Sequence, residues 1–152
     1  MDTEVLIVGG GLTGLSIASR LAASGTDLRL LEARDRLGGR MLSAASGGAR
    51  FDLGPAWVWE GQGRVQALRQ ALGVDLFHQH SDGEMLAQTA AGDVVRRPGF
   101  DSAAPALRVA GGASALIDGL SQTLPVGRIE TGRPVTRLHR EDAAWRADTG
   151  AG

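Results

Sequence analysis

Residues 5–32, "VLIVGGGLTGLSIASRLAASGTDLRLLE", contain the clearest structural pattern of the sequence. Residues 5–8 are an apolar run of the kind that is buried in a parallel sheet. Apolar residues then recur at helical spacing over residues 12–22, and turn-forming residues at 24–27 end the helix. A second apolar run follows at 28–32. The stretch therefore predicts a βαβ unit and, with it, an α/β fold.

Three glycines stand between the predicted strand and helix at the spacing G-x-G-x-x-G. Gly9 permits a tight turn, Gly11 lets the backbone approach a pyrophosphate, and Gly14 lets the helix pack closely on the strand. The helix N-terminus adds N–H donors and a partial positive charge that favour phosphates. Glu32 ends the second strand, where a carboxylate can accept hydrogen bonds from a ribose. We predict a dinucleotide-binding site; the alternative is a glycine turn in an α/β protein without a ligand.

The carboxylate of Glu32 also predicts which dinucleotide is bound. Two unit charges about 4 Å apart repel by about 4 kcal/mol at an effective dielectric constant of about 20. We therefore expect a ligand without a 2′-phosphate. Arg34 or Arg36 could offset this repulsion, which leaves NADP as a minor alternative; otherwise both arginines belong to a solvated loop.

The composition excludes several classes of function. The formal net charge of the 152 residues is −1, from 16 basic and 17 acidic residues, which gives no electrostatic case for nucleic acid or an anionic membrane. Cysteine and lysine are absent, so thiolate metal sites, cysteine nucleophiles and Schiff-base lysines are excluded. His78 and His80 could share one face of a strand, but no further ligand lies near them in sequence. We predict no metal site.

The sequence also predicts the cellular location of the protein and the kind of organism that encodes it. No apolar run of about 18 residues is present, and residues 1–4 lack the positive charge of a signal peptide. We expect a cytoplasmic protein whose partners include neither a membrane nor nucleic acid. Ala, Gly and Arg abound while Lys, Asn and Tyr are absent, which follows codons rich in G and C and predicts a bacterial gene.

The rest of the chain alternates between helical and extended patterns. We predict a loop at 41–50, bent extended chain at 51–59, a short helix over 65–72, strands at 76–80, 84–89 and 93–97, a loop at 98–106, a helix at 112–124, a strand at 129 and a hairpin at 134–147. Three parts result. Residues 1–58 form the dinucleotide-binding βαβ core, 59–110 an inserted α+β segment, and 111–152 a return to the first domain that ends in a β-hairpin.

Beyond the second strand, "EARDRLGGR" at 32–40 resembles the second signature of the flavin-dependent amine oxidases. That superfamily includes monoamine, polyamine and L-amino-acid oxidases, with carotenoid desaturases and protoporphyrinogen oxidase as more distant members. "FDLGPAWVW" at 51–59, "GGASALIDGL" at 111–120 and "RPVTRL" at 133–138 resemble further segments of the family. The resemblance covers the whole chain and implies a Rossmann-like fold of the FAD/NAD(P)-binding type, with FAD as the cofactor.

The resemblance also implies which residues contact FAD. The glycine turn would hold the pyrophosphate, the end of the second strand the ribose, the Gly-Gly-Arg turn the phosphates, the segment at 54–57 the flavin ring, and the backbone of the late strand the adenine. In chain order these residues are Gly9, Gly11, Leu12, Thr13, Gly14, Glu32, Ala33, Gly39, Arg40, Gly54, Pro55, Ala56, Trp57 and Val135. No catalytic residue and no metal ligand is implied.

The implied activity is oxidation of an amine to an imine by hydride transfer to FAD, with O2 as the reoxidant and H2O2 as its product. One alternative is a desaturase-like or protoporphyrinogen-oxidase-like flavoprotein, since "DLGP" at 52–55 fits that style too. Another is a non-catalytic dinucleotide-binding module that no longer holds flavin.

Family members are considerably longer than this chain, and their C-terminal part completes the cofactor sheet. We therefore expect a fragment, a truncated gene product or one piece of a split protein, inactive alone, with an incomplete sheet. In the strand order 3-2-1-4 the third strand is the one at 129 and the fourth is missing, so residues 5–8 would have an unpaired edge. Such an edge predicts self-association or pairing with a missing C-terminal half.

Overall fold

The computed structural model describes residues 2–80, 82–98 and 106–150. Most of the loop predicted at 98–106 lies outside these residues, and its two ends belong to strands instead. The elements are β1 (Val5–Val8), α1 (Leu12–Ala23), β2 (Leu28–Leu31), β3 (Ser43–Ser46), β4 (Ala49–Asp52), β5 (Val58–Trp59), α2 (Gly63–Ala71), β6 (Leu76–His78), β7 (Glu84–Gln88), β8 (Val94–Pro98), β9 (Ala106–Val109), α3 (Ser114–Gln122), β10 (Ile129–Glu130), β11 (Val135–Glu141) and β12 (Ala144–Thr149).

The chain forms two compact units. The first consists of Met1–Ala56 together with Gly111–Gly152, and the second of Trp57–Ala110. The second unit is thus an insertion in the sequence of the first. Each unit has its own sheets, and the predicted dinucleotide-binding residues up to position 56 and at position 135 lie in the first.

The first unit contains a parallel sheet of order β1-β2-β10. Val5 lies opposite Leu28, and Leu30 lies opposite Ile7 on one side and Ile129 on the other. The predicted βαβ unit and the strand at Ile129 are confirmed. Within the described residues β1 is an edge strand of this sheet, and the self-association expected from that edge stays a prediction.

The core of the first unit forms where α1 packs on β1 and β2 and where α3 packs on α1. Apolar side chains recur at helical spacing in both helices, and burying each leucine contributes about 1.5–3 kcal/mol. The buried apolar residues of this unit are Ile7, Leu15, Ala18, Leu28, Leu30, Leu31, Ala113, Leu116, Ile117, Leu120 and Leu124. The helix predicted at 112–124 is confirmed with narrower bounds, since Gly111 and Gly112 have φ of +77° and +81° and precede it.

The loop predicted at 41–50 is wrong, because the structure has a β-hairpin there. β3 and β4 pair antiparallel, with Ser43 opposite Asp52 and Ser46 opposite Ala49. The turn between them is Gly47-Gly48, with φ of +56° and +79°. Two positive φ values are what the tight hairpin turn of type I′ requires, and glycine adopts them without strain.

The second unit contains a small antiparallel sheet of order β5-β9-β6 and a hairpin of β7 with β8. β9 falls at the end of the predicted loop and was not predicted as a strand. The strands expected at 76–80, 84–89 and 93–97 are present with slightly different ends, and α2 ends before Gly73, whose φ is +66°. Among the described residues of this unit, the buried apolar ones are Val58 and Val109.

The C-terminal part of the first unit is the predicted hairpin. β11 and β12 pair antiparallel, and Asp142 in the turn has a φ of +53°. Among the residues that the structure describes, no helix is long and apolar enough to cross a membrane.

Candidate dinucleotide-binding site

The turn between β1 and α1 is built from glycines with different geometric needs. Gly9 has a φ of +102°, and its N–H donates to the carbonyl of Leu31 at 2.7 Å. A Cβ atom at Gly14 would lie 2.0 Å from the carbonyl oxygen of Gly9, so helix and strand are in backbone contact there. A Cβ atom at Gly11 would meet no atom within 4 Å. The turn therefore has no room for a side chain at Gly14 but has room for one at Gly11.

The N-terminus of α1 has no side-chain cap. Gly11 is its N-cap residue and the first turn contains no acidic residue. Leu12 and Thr13 begin the helix, and Thr13 is exposed. The N–H groups of a first helical turn and the helix dipole together favour an anion, so this end of α1 suits a phosphate group.

Glu32 is buried at the end of β2, with 7% of its surface exposed. One carboxylate oxygen accepts a hydrogen bond from Gly10 N–H at 2.7 Å, and the other accepts one from Arg34 N–H at 2.9 Å. Ala33, which lies between Glu32 and Arg34 in the sequence, is exposed. Each carboxylate oxygen has a second acceptor position, so Glu32 can hold the glycine turn and still accept from a ribose hydroxyl.

The two backbone bonds of Glu32 lead to a prediction about stability. Glu32→Gln keeps the shape of the side chain but leaves it one acceptor oxygen for two N–H donors. We expect the free energy of unfolding to fall by about 1–2 kcal/mol. This is the contribution of one charge-assisted hydrogen bond, reduced by the weaker hydrogen bond that the amide can still make. Urea denaturation measures this, with Asp35→Asn as the control, since Asp35 is an exposed acid of the same loop. Equal stability of both variants would contradict the assigned role of the carboxylate.

The second glycine turn, at 38–40, docks directly on the first. Gly38 N–H donates to the carbonyl of Gly10 at 2.8 Å, and Gly11 and Gly38 form a parallel bridge. A Cβ atom at Gly39 would lie 3.5 Å from the Cα atom of Gly11. Gly38 and Gly39 have φ of +98° and +58°. The two turns thus form one continuous surface, to which Glu32 is joined through Gly10.

Two residues outside the predicted FAD contacts support this surface. Gly10 packs closely on the side chains around it, since a Cβ atom there would lie 2.5 Å from Leu37 Cδ2 and 3.2 Å from Glu32 Cβ. Arg36, expected in a solvated loop or at a 2′-phosphate, donates to the carbonyl oxygens of Leu37 and Gly39 at 3.2 and 3.1 Å. The signal for Gly10 was the third consecutive glycine in "GGG". No sequence signal indicated the contacts of Arg36.

Arg40 lies beside the segment predicted to line the flavin. Leu53 N–H donates to the carbonyl of Leu42 at 2.8 Å, and a Cβ atom at Gly54 would lie 2.0 Å from the carbonyl oxygen of Arg40. The side chain of Arg40 is exposed and has no hydrogen bond or ion pair among the residues described. Its guanidinium is available to a ligand.

The remaining residues of the flavin-lining segment differ in exposure. Pro55 is exposed and Ala56 half-buried, and with them the first unit of the structure ends. Trp57 begins the second unit and has 53% of its surface exposed. Contact of these residues with a flavin stays a prediction.

The segment that leads into β11 forms the part of the site predicted to contact the adenine. Gly132 N–H donates to the carbonyl of Arg34 at 2.8 Å, and Arg133 N–H donates to the carbonyl of Glu32 at 2.9 Å. Val135, half-buried, begins β11 shortly after these bonds. The structure therefore brings Val135 to the same end of the sheet as Glu32, as a shared adenosine site requires. Within the described part of the chain, no group of three or more His, Cys, Asp or Glu side chains could hold a metal ion.

Comparisons with known proteins agree with this geometry. Residues 7–72 match the family described as NAD(P)-binding Rossmann-like domain. Putrescine oxidase of Kocuria rosea is 37% identical over 84 residues, 55% of this chain and 18% of that protein. Flavin-containing amine oxidase A of Equus caballus is 39% identical over 75 residues, 49% of this chain and 14% of that protein. Carotenoid 3,4-desaturase of Haloarcula japonica is 50% identical over 54 residues, 36% of this chain and 11% of that protein.

A solved structure of putrescine oxidase bound to putrescine has the same fold. Its TM-score is 0.86 at 17% sequence identity, and the match covers 98% of this chain. The chain spans about half the length of that structure, 55% of which is matched. In its N-terminal part the chain is therefore similar to the NAD(P)-binding Rossmann-like family and to putrescine and monoamine oxidases, as its resemblance to the flavin-containing amine oxidases predicted.

Proposed function

We propose that this chain is the FAD-binding portion of an amine-oxidase-like flavoprotein. The observation that carries the proposal is the docking of the second glycine turn on the first, through the 2.8 Å bond from Gly38 N–H to the carbonyl of Gly10. A βαβ unit with a single glycine turn suffices for an ordinary dinucleotide site. A second turn fixed beside it enlarges the surface, as the binding of a cofactor that continues beyond its adenosine and pyrophosphate to a flavin requires.

The residues of the first unit fit this cofactor. The open space at Gly11 and the uncapped N-terminus of α1 suit the pyrophosphate. Glu32 has acceptor capacity left for the ribose, and the exposed guanidinium of Arg40 suits a phosphate oxygen. When bound, FAD supplies the hydride acceptor for amine oxidation and the centre at which O2 is reduced to H2O2. The residues described here bind and orient it.

The amine substrate and O2 enter this proposal through the relatives. Putrescine oxidase and a flavin-containing amine oxidase are among them, each aligned with about half of this chain. A desaturase-like flavoprotein is the second candidate, supported by the 50% identity with carotenoid 3,4-desaturase over 54 residues. Both candidates need FAD at the same site and differ in the substrate that reduces it.

The experiment is a titration of the purified chain with FAD, NAD and NADP, followed by calorimetry and by flavin absorbance. We expect FAD to bind with the highest affinity and NADP with the lowest, because the carboxylate of Glu32 repels a 2′-phosphate. Tighter binding of NADP than of FAD would contradict the proposal. In the flavin-loaded protein, anaerobic bleaching by putrescine or another amine, with H2O2 formed on admission of air, favours the oxidase; bleaching by a carotenoid alone favours the desaturase.

Arg40 gives a prediction that separates the phosphate from the flavin. Arg40→Ala should lower the affinity for FAD by about tenfold, since a charge-assisted bond to a phosphate is lost. Riboflavin has no phosphate, so Arg40→Ala should change the affinity for riboflavin by about twofold or less. Arg20→Ala, at an exposed arginine in the last turn of α1, is the control. Equal losses for FAD and riboflavin would assign Arg40 to the protein surface.

A further inference from the structure

The N-terminus of α3 is capped by side chains that come from the β3–β4 hairpin. Ala113 N–H donates to Asp52 Oδ1 at 2.7 Å, and Ser114 N–H donates to Ser43 Oγ at 3.2 Å. Ser43 Oγ in turn donates to Asp52 Oδ1 at 2.6 Å. The N-cap residue of the helix, Ala113, supplies no capping bond of its own. The Ser43–Asp52 pair therefore satisfies donors that the helix itself leaves without a side-chain partner.

The glycine before α3 makes this capping possible. Gly112 is buried and has a φ of +81°. A Cβ atom there would lie 2.7 Å from Ser43 Oγ and 3.0 Å from Asp52 Oδ1. Any other residue would push the pair away from the helix. The Gly-Gly entry to the helix is thus built around the carboxylate and the hydroxyl.

The same pair stands next to the segments predicted to contact the cofactor. Asp52 is followed by Leu53, bonded to Leu42, and by Gly54, which is packed on the carbonyl of Arg40. From the other side, a Cβ atom at Gly38 would lie 3.4 Å from Cγ1 of Ile117 in α3. The helix that Asp52 caps therefore also contacts the second glycine turn. A shift of Asp52 relative to α3 would move residues 53–56 relative to that turn.

We propose that Asp52 is a positioning residue for the flavin half of the cofactor: with Ser43 it fixes residues 53–56 against α3 and the Gly-Gly-Arg turn. This inference deepens the proposed function and rests on it. In this proposal Asp52 does not contact the cofactor itself. It acts by fixing the position of the backbone that follows it. The carboxylate charge matters because it faces the positive end of the α3 dipole.

The test compares ligands that need residues 53–56 with one that does not. Asp52→Asn should lower the affinity for FAD by about tenfold or more, while the affinity for ADP changes by about twofold or less. ADP lacks the flavin and engages the βαβ unit. The absorbance spectrum of bound flavin should also shift, because residues 54–56 are predicted to line it. Calorimetric titration and difference absorbance give these readouts in the purified chain.

Two further variants complete the design. Asp118→Asn is the matched control: it removes a carboxylate of α3 that is half-exposed and pairs with Arg50 of the same hairpin at 2.9 Å. It should leave both affinities unchanged. Ser43→Ala is the milder variant if Asp52→Asn does not fold, and it should lower FAD affinity more than ADP affinity.

The outcomes separate this inference from the proposed function. Equal losses of FAD and ADP affinity, or no loss in either variant, would reduce Asp52 to a general stabilising cap and overturn the inference while FAD binding stands. An unmutated chain that binds ADP but no FAD would contradict the proposed function itself, and the inference would fall with it.

Discussion

Gly11→Val is expected to lower the affinity for FAD by about a hundredfold or more while the chain still folds. A Cβ atom at this position meets no atom of the protein within 4 Å, so the side chain has room in the chain itself. The φ of Gly11 is −78°, which any residue adopts. Loss of a good N-cap residue costs about 1 kcal/mol of stability. The branched side chain would instead occupy the space in which the pyrophosphate is predicted to lie.

Calorimetric titration with FAD and urea denaturation of the same preparation measure the two effects. Gly61→Val is the control, because Gly61 likewise has no neighbour within 4 Å of its Cβ position and lies outside the predicted site. It should keep the FAD affinity of the unmutated chain. Unchanged FAD affinity in Gly11→Val would mean that the pyrophosphate lies elsewhere.

Gly14→Ala is expected to have the opposite signature, with the fold itself destabilised by about 3 kcal/mol. The added Cβ atom would lie 2.0 Å from the carbonyl oxygen and 3.2 Å from the carbonyl carbon of Gly9. The contact is with backbone, so α1 must move away from β1. Alanine is favoured over glycine inside a helix by about 1 kcal/mol, and the clash has to exceed that gain.

The midpoint of urea denaturation reports this change. Gly63→Ala is the matched control, since Gly63 begins α2 and a Cβ atom there meets nothing within 4 Å. It should be neutral or slightly stabilising. A Gly14→Ala chain as stable as the unmutated one would show that helix and strand are less closely packed than the structure has them.

The βαβ unit could be predicted from the sequence because its signals are local. Apolar runs mark β1 and β2, helical spacing marks α1, and the glycines mark the turn between them. The β3–β4 hairpin was missed because its strands consist mainly of Ala, Ser and Arg, with no β-branched residue and with Phe51 as their one aromatic residue. Gly47-Gly48 was the one signal of its turn. β9 was missed because its pairing partners, β5 and β6, are distant in the sequence.

The site shows the same division between local and distant signals. The glycine spacing and the acid at 32 are visible in the sequence, and the family resemblance adds the second turn. The hydrogen bond from Gly10 to Glu32 depends on how closely β1 and β2 approach each other, and no pattern of residues in the sequence predicts that distance. The same holds for Asp52, which precedes a recognised segment but acts on a helix about 60 residues later. Contact of the predicted residues with FAD stays a prediction.

The order β1-β2-β10 also has a consequence for synthesis of the chain on the ribosome. β2 is the central strand of the sheet, and its second neighbour, β10, pairs with it at Leu30 and Ile129. About 100 residues separate these partners, and translation proceeds at about 5–20 residues per second. One edge of an apolar strand therefore stays unpaired for about 5–20 s after it leaves the ribosome. During that interval the nascent chain is most exposed to wrong partners, and chaperones that bind extended apolar segments would act on residues 28–31.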